Sequence, residues 1–251
     1  MKKIILIFTG FFLMTGISLA QHEKSHAHMI SLNFQQIDEE MNYGLVFKGL
    51  GLGYSYHANW QNDKRMIIYE GRFNVNFPMT RDIAAMSYDV VPARFDYLFK
   101  LGKEKKLSVG PYFIAEYNYM LYPDLQSGYS FWFTNFSLGG ALNYAFDIKK
   151  SKLDLVFHTT VMGLTSRQPE YDDPYFFDLG FDHAVKFVHQ DMQFGSWNLY
   201  NQSELEVRWR PKEDSRLAYA YTIQYYGYFD EPKLTMLNQS VKLMILPKKD
   251  K

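Results

Sequence analysis

The stretch FTNFSLGGALNYAFDIKKSK, residues 133–152, decides how the chain is read. Thr134, Phe136, Leu138, Gly140, Leu142, Tyr144 and Phe146 alternate with Asn135, Ser137, Gly139, Ala141, Asn143 and Ala145. Strict alternation marks a β-strand with one apolar and one polar face. In a soluble sandwich the apolar face is core. In a membrane barrel it faces lipid, and the polar face lines the lumen. Neighbouring segments decide between the two.

Nine further segments alternate in the same way, making ten: 28–37, 45–58, 65–78, 86–101, 105–120, 131–147, 152–165, 197–209, 215–229 and 233–246. Each is long enough to cross a hydrocarbon layer when tilted. None carries the 3.6-residue period of a long amphipathic helix. The connections alternate in character too. NDKR (62–65), GKEKK (102–106), DIKKSK (147–152) and PKEDSR (211–216) are short and charged. DEEMNYG (38–44), MTRDIAAMS (79–87), YPDLQSGYSFW (122–132) and the 166–196 segment are longer or more aromatic. Short turns at one end and long loops at the other form the outer-membrane arrangement, and two termini on the turn side require an even strand count.

The expected fold is therefore all-β: a single antiparallel transmembrane barrel of ten strands, with eight or twelve as the alternatives. Residues 1–20 read as a secretory signal. Lys2 and Lys3 form its basic start, Ile4–Ile17 its apolar run and Ser18-Leu19-Ala20 its cleavage site. Residues 21–27 read as a flexible lead-in, 28–247 as the barrel and 248–251 as a periplasmic tail. The chain has no cysteine, so no disulfide framework supports it. Its 27 basic and 27 acidic residues balance, which removes the electrostatic case for nucleic acid.

Charge placement favours the barrel over the sandwich. Glu70, Arg72, Arg94, Asp96, Glu116, Asp154, His158, Glu204, Glu206, Arg208 and Lys242 all fall on faces opposite apolar ones. Charge on a lipid face costs a few kcal/mol at mid-membrane, so these side chains are expected inside, in a polar and largely filled interior. Arg72 and Arg94 have Glu116 and Glu204 as candidate partners. Gly49, Gly51, Gly53, Gly139 and Ala141 leave room for a narrow path beside them. Tyr54, Tyr97, Tyr117, Trp132, Trp209 and Tyr219 are placed to form interfacial girdles.

On these patterns the chain resembles the small outer-membrane β-barrel proteins of Gram-negative bacteria. The Gln after the cleavage site and the Tyr- and Phe-rich strands are similar to those of the Bacteroidota. One departure is the end, VKLMILPKKDK, where many such barrels finish on an aromatic residue.

Three clusters invite chemistry. FHTT at 157–160 is similar to the His and Ser of outer-membrane lipid hydrolases, but Thr160 stands where they carry serine. The 168–195 loop gathers Asp172, Asp173, Asp182 and Asp191 with His183, His189 and Tyr175, and superficially resembles the rim of ten-strand outer-membrane proteases. It reads more simply as an aromatic lid or a binding loop. His22, His26 and His28 near the start of the mature chain form a weak candidate metal tract. No cofactor is expected. The leading expectation is a non-enzymatic structural, accessory or binding barrel acting through its extracellular loops. Its expected partners are outer-membrane lipid and, through the loops or lumen, other envelope proteins or small polar solutes. A narrow channel for such solutes and a surface hydrolase using the 168–195 loop are the alternatives.

Overall fold

The computed structural model describes residues 23–40, 45–121, 130–167, 192–212 and 214–247. Its strands are β1 (Glu23–Glu39), β2 (Val46–Gln61), β3 (Arg65–Thr80), β4 (Ile83–Ala84), β5 (Met86–Leu101), β6 (Leu107–Leu121), β7 (Ser130–Ile148), β8 (Ser151–Arg167), β9 (Gln193–Ser196), β10 (Tyr200–Arg210), β11 (Leu217–Tyr228) and β12 (Leu234–Ile245). Ten of these twelve close a barrel, in the order β10-β11-β12-β1-β2-β3-β5-β6-β7-β8, with β8 pairing back to β10. β4 pairs only with β3, and β9 lies on β8. Every pairing is antiparallel, so the closed sheet has no free edge.

Several boundaries differ from the sequence expectation. β1 starts at Glu23 and pairs with β2 from that residue, so 23–27 belong to the wall rather than to a flexible lead-in. Residues 197–199 form the turn between β9 and β10, so the eighth barrel strand begins three residues later than alternation implied. Residues 193–196, read as loop, form β9.

The barrel has a turn end and a loop end. At the turn end, the Asn62 side chain accepts from the backbone N–H groups of Lys64 and Arg65 at 2.9 and 2.8 Å, closing that connection. Lys149 takes φ 55° in the two-residue hairpin between β7 and β8.

Two bulges set which residues face inward. Glu70 of β3 pairs with Arg94, but Arg72 pairs with Val91, so β5 carries one extra residue around Pro92. Pro92 has no N–H for the ladder, and its carbonyl accepts from the Tyr69 hydroxyl at 2.9 Å. Inward positions therefore switch from Ser87, Asp89 and Val91 to Arg94, Asp96 and Leu98. On β8 the pairing slips between Leu138–Met162 and Gly139–Thr160, with Val161 and Met162 both exposed. Arg167 thereby faces inward on the same strand as His158.

The outer surface settles the solvent question. Leu52 is 64% exposed, and Ile30, Leu32, Leu50, Phe73, Phe77, Leu138, Val241 and Leu243 are exposed beside it. Across the middle of the strands, no described outward position carries Asp, Glu, Lys or Arg. Trp209 stacks on Tyr219 at 5.8 Å near the turn end, and Tyr117 on Tyr119 at 6.3 Å near the loop end. An apolar band between aromatic rims, around a charged interior, is a barrel turned inside out for lipid. This is the outer-membrane type of barrel, and the outer membrane is where such a surface belongs.

Candidate functional site

The lumen is stacked in layers. At the loop end, Ile37, Phe47, Met120, Phe133, Tyr200, Tyr226, Tyr228, Leu234 and Met236 form one buried cluster across the bore. The Phe133 and Tyr226 rings stack at 4.5 Å. Glu39, 1% exposed, accepts from Arg167 at 2.6 Å beneath the rim, and Arg167 also donates to the Pro232 carbonyl.

Below this apolar layer lies a charged one. Arg94 donates to Glu204 and to Glu70, each at 2.5 Å. Arg72 also reaches Glu204, at 3.2 Å, with Asp89 at 3.5 Å and Glu116 at 3.9 Å on its other sides. Both arginines therefore meet at Glu204. His158 Nε2 lies 3.0 Å from Asp96 Oδ2. Glu206 accepts from Arg208, from Lys242 and, at 2.7 Å, from the Thr222 hydroxyl. Gln202 donates to Glu116, and Asn135 donates to Gln202 at 3.0 Å. These bonds join β3, β5, β6, β7, β8, β10, β11 and β12, so the network ties opposite sides of the barrel together.

The network is acid-rich. Glu70, Asp89, Asp96, Glu116, Glu204 and Glu206 are six buried carboxylates, while Arg72, Arg94, Arg208 and Lys242 are four buried cations. His57 and His158 are the imidazoles within reach. Buried charge of this density persists only when paired and hydrogen-bonded, and removing one member leaves its partners unpaired.

The small residues of the wall do not leave a path past the network. A Cβ on Gly53 would meet Asn74 Oδ1 at 1.9 Å, and one on Gly51 would meet Asn76 Oδ1 at 2.1 Å. A Cβ on Gly139 would meet the Thr159 carbonyl oxygen at 2.1 Å and the Tyr112 ring at 2.3 Å. The space at Gly51 and Gly53 is thus taken by neighbouring side chains, and at Gly49 by the Phe77–Pro78 backbone. Beside them remains a hole of about 20 Å³ between Asn33, Asn74, Gln224 and Ser240.

At the turn end the bore opens. A cavity of about 310 Å³ lies there, with Ala27, Ala145, Ala218, Met66, Ile68 and Met244 in its wall. Asp154 belongs to this vestibule, half-buried, rather than to the central network.

The remaining candidates separate. His158 and Thr160 are 2% and 0% exposed, far from the lipid face a lipid hydrolase would use. Thr160 Oγ1 accepts the Gln202 backbone N–H at 3.0 Å. Asp172, Asp173, Tyr175, Asp182, His183, His189 and Asp191 lie outside the described residues, as does His22. His26 and His28 sit on the outer face, where His28 Nδ1 lies 2.7 Å from the Tyr54 hydroxyl. Among the described residues, no group of three His, Cys, Asp or Glu side chains is placed to hold a metal ion.

Asp89, His57 and the Glu39–Arg167 pair were not singled out by the sequence reading. Alternation alone puts Asp89 and Arg94 on opposite faces, because their spacing is odd. Pro92 between them was the available signal of a slip.

No protein-family model matches the chain, and no curated protein sequence matches it. Solved barrels are similar at low identity. The Neisserial surface protein NspA shares 10% identity, with 89% of this chain and 98% of that one covered and a TM-score of 0.37. The translocator domain of the autotransporter NalP from Neisseria meningitidis shares 8%, covering 97% and 96%, at 0.40. An outer membrane channel from Pseudomonas putida F1 shares 7%, covering 89% and 95%, at 0.42. At these values no function transfers from them to this chain.

Proposed function

We propose that the protein is a closed, non-enzymatic outer-membrane barrel, a structural, accessory or binding platform that presents its loop end outside the cell and keeps both termini in the periplasm. The single observation that supports this reading is the filled bore. An apolar layer lies over a salt-bridged layer, and glycine positions beside them are filled by neighbours. Partners of such a platform are envelope proteins or surface ligands met by the loops. Single-channel recording of the refolded protein in planar bilayers tests it. A silent bilayer is expected, and steady, solute-dependent conductance would replace this reading with a narrow channel for small polar solutes. The 310 Å³ vestibule is the observation that favours that second reading.

A further inference from the structure

The closed-platform reading leaves the vestibule without a role. Its walls carry six cations, Lys100, Lys105, Lys106, Lys152, Arg208 and Arg210, and two carboxylates, Asp147 and Asp154. Three further carboxylates touch these cations: Asp63 at 3.2 Å from Lys105, Glu104 at 3.2 Å from Lys106, and Glu206 on Arg208. Lys100 and Arg210 have no carboxylate within 4 Å among the described residues. Lys100 donates instead to the neutral Gln61 side chain at 3.2 Å.

Lys100 lies on β5 and Arg210 on β10, four places apart on the ten-strand ring. They therefore approach the cavity from nearly opposite walls. Asn59, Ser108 and Asn143 add neutral hydrogen-bonding groups between them. The filled layers above make this a blind pocket open toward the turn end. Lipid surrounds the wall, so the field of its cations is less screened than on an open surface. About 310 Å³ falls at the lower end of small-molecule pocket sizes, roughly 300–1,000 Å³. Lysine supplies a point charge and arginine a two-pronged donor, the usual pair for phosphate and carboxylate oxygens.

We propose that the turn-end vestibule binds a small multivalent oxyanion, phosphate- or carboxylate-bearing, between Lys100 and Arg210. The site is distinct from the loops, and its blind shape rests on the closed bore proposed above.

Calorimetric titration of the refolded, full-length protein in neutral detergent with pyrophosphate and with citrate tests it. Saturable binding is expected, weakened at least tenfold in the Lys100→Gln/Arg210→Gln double variant. The control is Lys149→Gln/Lys150→Gln, which removes the same charge from an exposed turn outside the cavity and is expected to bind as the wild type does. Heat-modifiable electrophoretic mobility verifies that each variant is folded. No saturable binding, or equal weakening in both double variants, would overturn the proposal. Bicelles separate the sources of the anion. Pyrophosphate binding equal in phosphatidylcholine and phosphatidylglycerol assigns the site to a soluble anion. Loss in phosphatidylglycerol alone assigns it to the headgroup of an anionic lipid.

Discussion

The two ends of this lumen are built on one wall but filled in opposite ways. At the loop end the inward residues are large: Phe47, Phe133, Tyr200, Tyr226, Tyr228 and Met236. At the turn end small residues, Ala27, Ser108, Ala145 and Ala218, share the wall with Met66, Ile68 and Met244, and a cavity remains between them. A ten-strand barrel is slightly wider than side chains fill unaided, so residue size decides where the bore closes. Charge is divided as well. The four turn-end connections hold ten Lys or Arg and five Asp or Glu, 10 − 5 = +5, while residues 168–195 hold one and six, 1 − 6 = −5. One end is shaped to seal and the other to hold.

The sharpest way to break the contrast is at the layer between the two ends. Arg94→Ala leaves Glu70 and Glu204 without their 2.5 Å partner, and about 3–5 kcal/mol of stability should be lost. Denaturant unfolding in detergent measures this, and a loss under about 1 kcal/mol would mean the network does not hold the barrel. Phe133→Ala removes a fully buried ring stacked on Tyr226 and should cost about 3 kcal/mol. The same titration gives that figure, and a near-neutral result would show that the loop-end layer is not packed.

Outside the wall, Leu52→Arg places a charge at an outward site 64% exposed in the apolar band. About 2–4 kcal/mol should be lost when the variant folds into vesicles. A neutral effect there would argue against lipid contact. The smallest effect belongs to the vestibule: Arg210→Gln should change stability by no more than about 0.5 kcal/mol, since it breaks no ion pair among the described residues. A large loss would give that arginine a structural role instead of a binding one.

The sequence was most informative where period and composition act alone. Ten alternating segments, the short charged turns and the inward set from Glu70 to Lys242 follow from the two-residue repeat and the cost of charge in lipid. Pairing was beyond reach, because it depends on register. Nothing local tells Glu204 that it will meet both Arg72 and Arg94, on strands more than a hundred residues earlier. The bulges set the other limit. One extra residue near Pro92 and another at Val161–Met162 reverse the inward parity, and this hid Asp89 and Arg167 from a reading by alternation. The glycine row at 49–53 was read as space because neighbouring strands were not visible. Asn74, Asn76 and the Phe77–Pro78 backbone fill it from β3.

The claim that the bore is closed at mid-height can be read directly, because the chain contains no cysteine. Single cysteines introduced by Ser25→Cys and Asn143→Cys at the vestibule, and by Ser87→Cys and Ser137→Cys in the filled layers, would be exposed in turn to a charged, water-soluble thiol reagent in reconstituted vesicles. Ser87 and Ser137 are both 0% exposed, whereas Ser25 and Asn143 line the cavity. Labelling at the vestibule pair with protection of the other two is the predicted pattern. Labelling of all four at similar rates would reveal a continuous aqueous path and contradict the account.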